Sequence, residues 1–264
     1  MVMYSYPAPV DQLLTYGDAS EIKEVPNYVE ELGFSKNHIG ALINIATDIE
    51  LNSAHTDSLE VWAPIHAVRV LGQLRAEEAI QSLIDLFELD DDWMGNELPV
   101  ALAAIGLSAI NSLEAYLINS SNPYFQRIRV SGTLVKIAQI YPDTRDRCVA
   151  IITQQLEKCA DNPTDMNACL VGDLIEPNAV KSAPVIERAF AAKKVMPILA
   201  GDWDEVQVSL GLKTREEVPI RRFTLKEMSE ALGIEQLVSE PRGFAKTESK
   251  TSKKKSAKKN KKRK

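Results

Sequence analysis

Two lines of apolar residues at helical spacing, separated by a two-residue break, constrain the fold of this chain more than any other feature. In residues 62–87, Ile65, Val68, Leu71 and Leu74 form one line, and Ala79, Ile80, Leu83, Ile84 and Phe87 form a second. Arg75-Ala76 between them leaves room only for a turn, and Pro64 suits a first helical turn. Two antiparallel helices so closely linked hide only part of their apolar surface. Neighbours must cover the rest, which is the physical logic of a stacked repeat.

Such neighbours follow. Residues 99–117 repeat the pattern with Pro99, Leu102, Ile105 and Gly106, then Ala109, Ile110, Leu113 and Leu117. Ile80 to Ile110 and Leu83 to Leu113 are 30 residues apart, and Leu71-Gly72 to Ile105-Gly106 is 34. A third unit runs through Phe125, Ile128, Leu134, Ile137 and Ala138, breaks at Tyr141-Pro142, and resumes with Val149, Ile152 and Leu156. A fourth holds Met166, Leu170 and Leu174, then Val185, Ile186, Ala189 and Phe190. Upstream, Ile39, Leu42, Ile43, Ala46 and Ile49 form one more stripe, bounded by Gly33 and the polar stretch 52–58. Strand-like alternation is scarce.

The expected fold is therefore all-α: a HEAT-type α-solenoid of about four to five helix pairs, with a period near but below the ~40 residues usual for such units. Residues 1–61 form an N-terminal helical region, 62–200 the repeats, 201–240 a C-terminal helical cap, and 241–264 a disordered Lys-rich tail. In the cap, 202–212 reads as a short helix closed by Gly211, and Thr224 with Glu227 makes a capping box. Leu71, Ile80, Leu83, Leu102, Ile105, Ile110 and Leu113 are the expected contacts between units.

Charge is divided unevenly. Residues 246–264 carry eleven Lys/Arg and one Glu, a net of +10, which leaves the preceding residues at −16. An acidic body is a poor phosphate binder, so any attraction to RNA or another polyanion has to come from residues 246–264, and the alternative for that run is a merely solvated tail. Cys148, Cys159 and Cys169 form neither an even framework nor a CxxC pair and read as small buried hydrophobes. No apolar run reaches the ~18–20 residues of a membrane span, and the N-terminus does not read as a secretory signal, so a soluble, cytoplasmic protein with no membrane partner is expected.

The segment WAPIHAVRVLGQLRAEEAIQSLIDLF, with DDDWMGNELPVALAAIGLSAINSLEAYL after it, resembles HEAT-like-repeat proteins of bacteria, including cyanobacteria. The likeness spans roughly residues 10–212, from LLTYG at Leu13–Gly17 to AGDWDEVQVSLGL at 200–212. It implies the repeat architecture and hardly any biochemistry. Some relatives end in a cysteine-rich metal-binding tail, which is missing here, so the resemblance implies no metal. HEAT-like repeats also occur in phycobilin lyases, though no stretch here singles out that group.

Two clusters are candidate binding residues. His66, Arg69 and Gln73 lie at i, i+3 and i+7 and share one helix face: a polar recognition patch, or a solvated face with His66 packed at a turn. Asp90, Asp91, Asp92 and Trp93, with Glu97 beyond, concentrate carboxylates beside an aromatic ring. They lack the spacing that wraps a loop around calcium, and capping of the next helix with packing of Trp93 is the competing reading. Trp203, between Asp202 and Asp204, admits the same alternatives. No nucleotide-binding loop, nucleophile elbow or zinc-protease motif occurs, and there are three histidines, so no catalytic residue and no cofactor is assigned. The leading expectation is a scaffold or adaptor with a protein partner. A nucleic-acid- or ribosome-associated factor tethered by 246–264, and a bilin lyase-like enzyme on a HEAT-like frame, are the alternatives. The −16 body argues against a DNA-base glycosylase.

Overall fold

A computed structural model of the chain describes residues 6–89 and 91–233. Asp90, the end of the expected cap (234–240) and the Lys-rich run lie outside the described residues. The chain divides into two units, with the boundary between Arg221 and Arg222. Among the described residues the secondary structure is entirely helical.

In the first unit, α1 (Tyr28–Leu32), α2 (Ile39–Ala46) and α3 (Ile49–Asn52) lead into α4 (Ala63–Gln73) and α5 (Ile80–Asp85). Then follow α6 (Asp92–Ile105) with α7 (Ile110–Ile118), α8 (Tyr124–Ile140) with α9 (Arg145–Glu157), and α10 (Thr164–Ile175) with α11 (Ala183–Ala191). Two shorter helices, α12 (Pro197–Ala200) and α13 (Trp203–Ser209), complete this unit. In the second unit, α14 (Leu225–Leu232) starts at the expected capping box: the Thr224 side chain accepts from Glu227 N–H, and the Glu227 carboxylate accepts from Thr224 N–H at 2.8 Å.

Helices α2, α4, α6, α8 and α10 pack each against the next, and α5, α7, α9, α11 and α13 do the same. Between these rows lie Leu71, Ile80, Leu83, Leu102, Ile105, Ile110 and Leu113, all buried as the apolar lines require. Close approach depends on small residues. A Cβ on Gly72 of α4 would stand 2.8 Å from Cα of Ala101 on α6, so those two backbones meet almost directly.

One local device recurs at every connection within a pair. A single 3-10 turn precedes the second helix at Glu77–Ala79, Leu107–Ala109, Pro142–Thr144 and Val180–Ser182. Each is closed by a bond from an N–H to the carbonyl three residues back, on Ala76, Gly106, Tyr141 and Ala179. Arg75 and Asn178 adopt left-handed conformations at φ 50° and 52°, and the bonds from Ala76 N–H to Leu71 O and from Ala179 N–H to Leu174 O close the preceding helices in Schellman fashion.

Two expectations are corrected. Pro99 does not open a helix; it sits inside α6, which begins seven residues earlier with Asp91 as its N-cap. An interior proline removes one helical bond, at a cost of roughly 3 kcal/mol, and burial of α6 between α4 and α8 offsets it. Ile49 does not continue the stripe of α2. Asp48 caps a new short helix there, its Oδ1 accepting from the N–H groups of Glu50 and Leu51, and Ile49 turns outward at 76% exposure.

No single helix among the described residues is long and apolar enough to cross a membrane. Helices α6 and α7 together have the composition, but the chain bends by 113° between them. Cys148 is buried, and Cys159 and Cys169 are half-buried.

Candidate functional site

His66, Arg69 and Gln73 do share a face of α4, and the chain itself covers that face at His66 and most of Arg69 while Gln73 stays exposed. His66 is fully buried. Its Nε2 lies 3.0 Å from the Gly17 carbonyl, which can only accept, so Nε2 carries the proton. Nδ1 is then the acceptor for the Tyr28 hydroxyl at 2.7 Å. Burial holds the His66 pKa below the ordinary imidazole value, consistent with this neutral tautomer. Arg69 Nη2 donates to Glu97 Oε1 on α6 at 2.5 Å and to the Ala19 carbonyl at 3.4 Å, and Gln73 Nε2 donates to the Pro26 carbonyl at 2.7 Å. Three polar side chains at i, i+3 and i+7 thus bind three backbone carbonyls of residues 17–26 and lay that segment along α4. The Arg69 guanidinium is nearly buried, held through Nη2 by Glu97 and the Ala19 carbonyl and adjoined by the Tyr28 hydroxyl.

The carboxylate cluster divides. Asp91 caps α6, its Oδ1 accepting from Met94 N–H at 2.7 Å. Asp92 accepts from Arg129 of α8 at 2.9 Å, and Glu97 belongs with Arg69. Trp93 stays 54% exposed and meets Trp62 edge to face, with ring centroids 5.4 Å apart. Asp91 and Trp93 line one hollow with Trp62 and Ile65; Arg69, Gln73 and Glu97 line another with Val25 and Val100. Glu97 thus joins Arg69 and Gln73, and the Asp91–Trp93 part of the candidate set does not share a groove with them. Trp203 packs against Phe190, and Asp202 caps α13. Among the described residues no group of three or more His, Cys, Asp or Glu side chains is arranged to hold a metal ion.

The more open polar surface lies on the other row of helices. Between α5 and α7 runs a groove of about 470 Å³ whose walls include Gln81, Asp85, Glu88, Asn111, Ser112 and Asn119. The Tyr116 hydroxyl donates to Glu88 Oε1 at 2.5 Å across it, and Arg147 of α9 reaches Asn111 at its margin. A second hollow of about 540 Å³ lies between α9 and residues 178–182. Here Arg145 is clamped to the carbonyls of Pro177 and Asn178 at 2.7 and 3.0 Å, above the apolar Val149, Ala150 and Val180. Neither hollow is among the candidate sites read from the sequence. The signal of the α5–α7 groove is present in Gln81, Asp85 and Glu88, spaced i, i+4 and i+7 opposite the apolar line of α5.

A third missed feature is the contact between α8 and α10. Ser131, fully buried, donates to Asp173 Oδ2 at 2.5 Å. Burial pushes the Asp173 carboxyl up to about 7, nearby Glu176 adds to the rise, and the Ser131 bond opposes it.

No family model, curated protein or solved structure matches the chain. What the fold and the grooves define is a class: packed rows of helices, with no strand among the described residues, and a polar, open groove on one row.

Proposed function

We propose that the chain is a protein-binding scaffold built as a HEAT-type α-solenoid, and that the groove between α5 and α7 receives an extended, basic segment of its partner. The row-by-row packing order and the recurring 3-10 turn support the repeat reading. The observation that carries the binding reading is the lining of that groove. Amides at Gln81, Asn111 and Asn119 offer both donors and acceptors to a peptide backbone, and Asp85 and Glu88 offer negative charge to lysine or arginine side chains.

Capture from the protein's own cells tests this. Full-length chain and the Asp85→Lys/Glu88→Lys variant, matched for melting temperature, are immobilised and bound proteins identified. The proposal expects a protein that the native chain retains and the variant loses. Equal recovery by both, or none by either, contradicts it.

A further inference from the structure

Trp62 packs partly against the core and Trp93 stays exposed beside it, and the corner they form takes no part in the α5–α7 groove. Trp62 closes the 3-10 turn Leu59–Trp62 ahead of α4, and Trp93 stands in the first turn of α6. Their planes meet at 82°, so the two indoles form adjoining walls. They bound a hollow of about 160 Å³, and Thr56, Ile65 and Met94 complete much of its surface. Asp91 lines the same hollow. One of its oxygens, Oδ1, is engaged in capping α6, and a carboxylate has a second oxygen for a further donor. None of the residues lining the hollow is cationic.

That chemistry selects a ligand class. Indole faces carry negative electrostatic potential and attract cations, Trp most strongly among the aromatic residues. A carboxylate beside them adds attraction for positive charge. An anion would be repelled, and a neutral apolar group would cover Asp91 without replacing its water. A bare divalent cation would find one carboxylate where six or more oxygen ligands are usual. A positive head on an aliphatic stem satisfies both the rings and the carboxylate.

We propose that Trp62, Trp93 and Asp91 form a recognition site for an alkylammonium group, carried either by a lysine side chain of a bound protein or by a free quaternary amine. The site stands apart from the α5–α7 groove and does not require it.

The test uses the full-length protein labelled with ¹⁵N. Its three tryptophans, Trp62, Trp93 and Trp203, give three indole N–H signals, assigned by single Trp→Phe variants. The protein is titrated with N-acetyl-lysine methylamide, with tetramethylammonium, and with tert-butanol as the neutral isostere of the latter. The expected result is a saturable shift of the Trp62 and Trp93 signals while Trp203 stays still. Tert-butanol should bind more weakly than tetramethylammonium by about 2- to 30-fold, the range spanned by exposed to desolvated cation–π contacts. Asp91→Asn keeps a competent helix cap while removing the charge, and should weaken ammonium binding by about threefold or more at an unchanged melting temperature. Tighter binding of the lysine amide assigns the site to a protein side chain, and tighter tetramethylammonium to a small amine. No saturable shift, equal binding of tert-butanol, or full affinity in Asp91→Asn would overturn the proposal.

Discussion

The Gly17, Ala19 and Pro26 carbonyls are each held by one side chain of a single face of α4, and this arrangement locates what a sequence can and cannot say about a residue. Helical spacing places His66, Arg69 and Gln73 on one face. It is silent on what lies over that face, because residues 17–26 are some 50 positions away and carry no periodicity of their own. Asp173 makes the same point energetically. Its neighbours in sequence are ordinary; its burial beside Ser131 comes from the packing of α8 on α10. The folded-state pKa of about 7 lies above the ordinary 3.8, so the neutral acid is the form the fold favours. Its contribution to stability is complete below about pH 4 and is lost as pH rises through 7. Asp173→Asn mimics that neutral form. Urea melts should show the variant and the native chain nearly equal at or below about pH 4, with the variant gaining steadily as pH rises and more stable at pH 8, by at most about 4 kcal/mol. A variant less stable at pH 8 would mean that the carboxylate, not the acid, suits this site.

At the scale of the element, the first helices of the pairs begin 29, 32 and 40 residues apart at α4, α6, α8 and α10. The interval of 30 read from Ile80 and Ile110 is real, since those residues open α5 and α7. What obscured the first-helix period was Pro99, whose place inside α6 depends on tertiary burial that no local signal announces. A clearer marker went unread: Asn122-Pro123 and Asn162-Pro163, 40 residues apart, each stand immediately before a first helix. The turn between α6 and α7 differs from its counterparts in using glycine. Gly106 sits at φ +87°, and a Cβ there would meet the Tyr141 ring at 2.7 Å. Tyr141 is itself fixed by a bond from its hydroxyl to the Ala104 carbonyl at 2.9 Å. Gly106→Ala should therefore destabilise by about 2 kcal/mol or more, combining backbone strain with overpacking. Gly132→Ala, within α8 and facing open space, should be neutral or stabilising by up to about 1 kcal/mol. Equal effects of the two in urea melts would contradict the geometry of this turn.

For the whole molecule, the all-helical character was legible because amphipathic periodicity is a local property repeated along the chain. The groove between α5 and α7 was not, because it exists only where two helices from successive pairs lie side by side. Stacking of those pairs is the central claim, since every proposed surface depends on it. The most direct measurement cross-links cysteine pairs placed in a background with Cys148, Cys159 and Cys169 replaced by alanine. Asn111→Cys with Arg147→Cys spans α7 to α9, and Gln139→Cys with Glu176→Cys spans α8 to α10; in the native chain both pairs are joined by side-chain hydrogen bonds. Gln73→Cys with Gln139→Cys would have to reach from α4 to α8 past α6. With a short bis-maleimide, the account predicts rapid intramolecular linkage of the first two pairs and none of the third. Linkage of the third pair at a comparable rate, or failure of either of the first two in a folded protein, would contradict the stacked order.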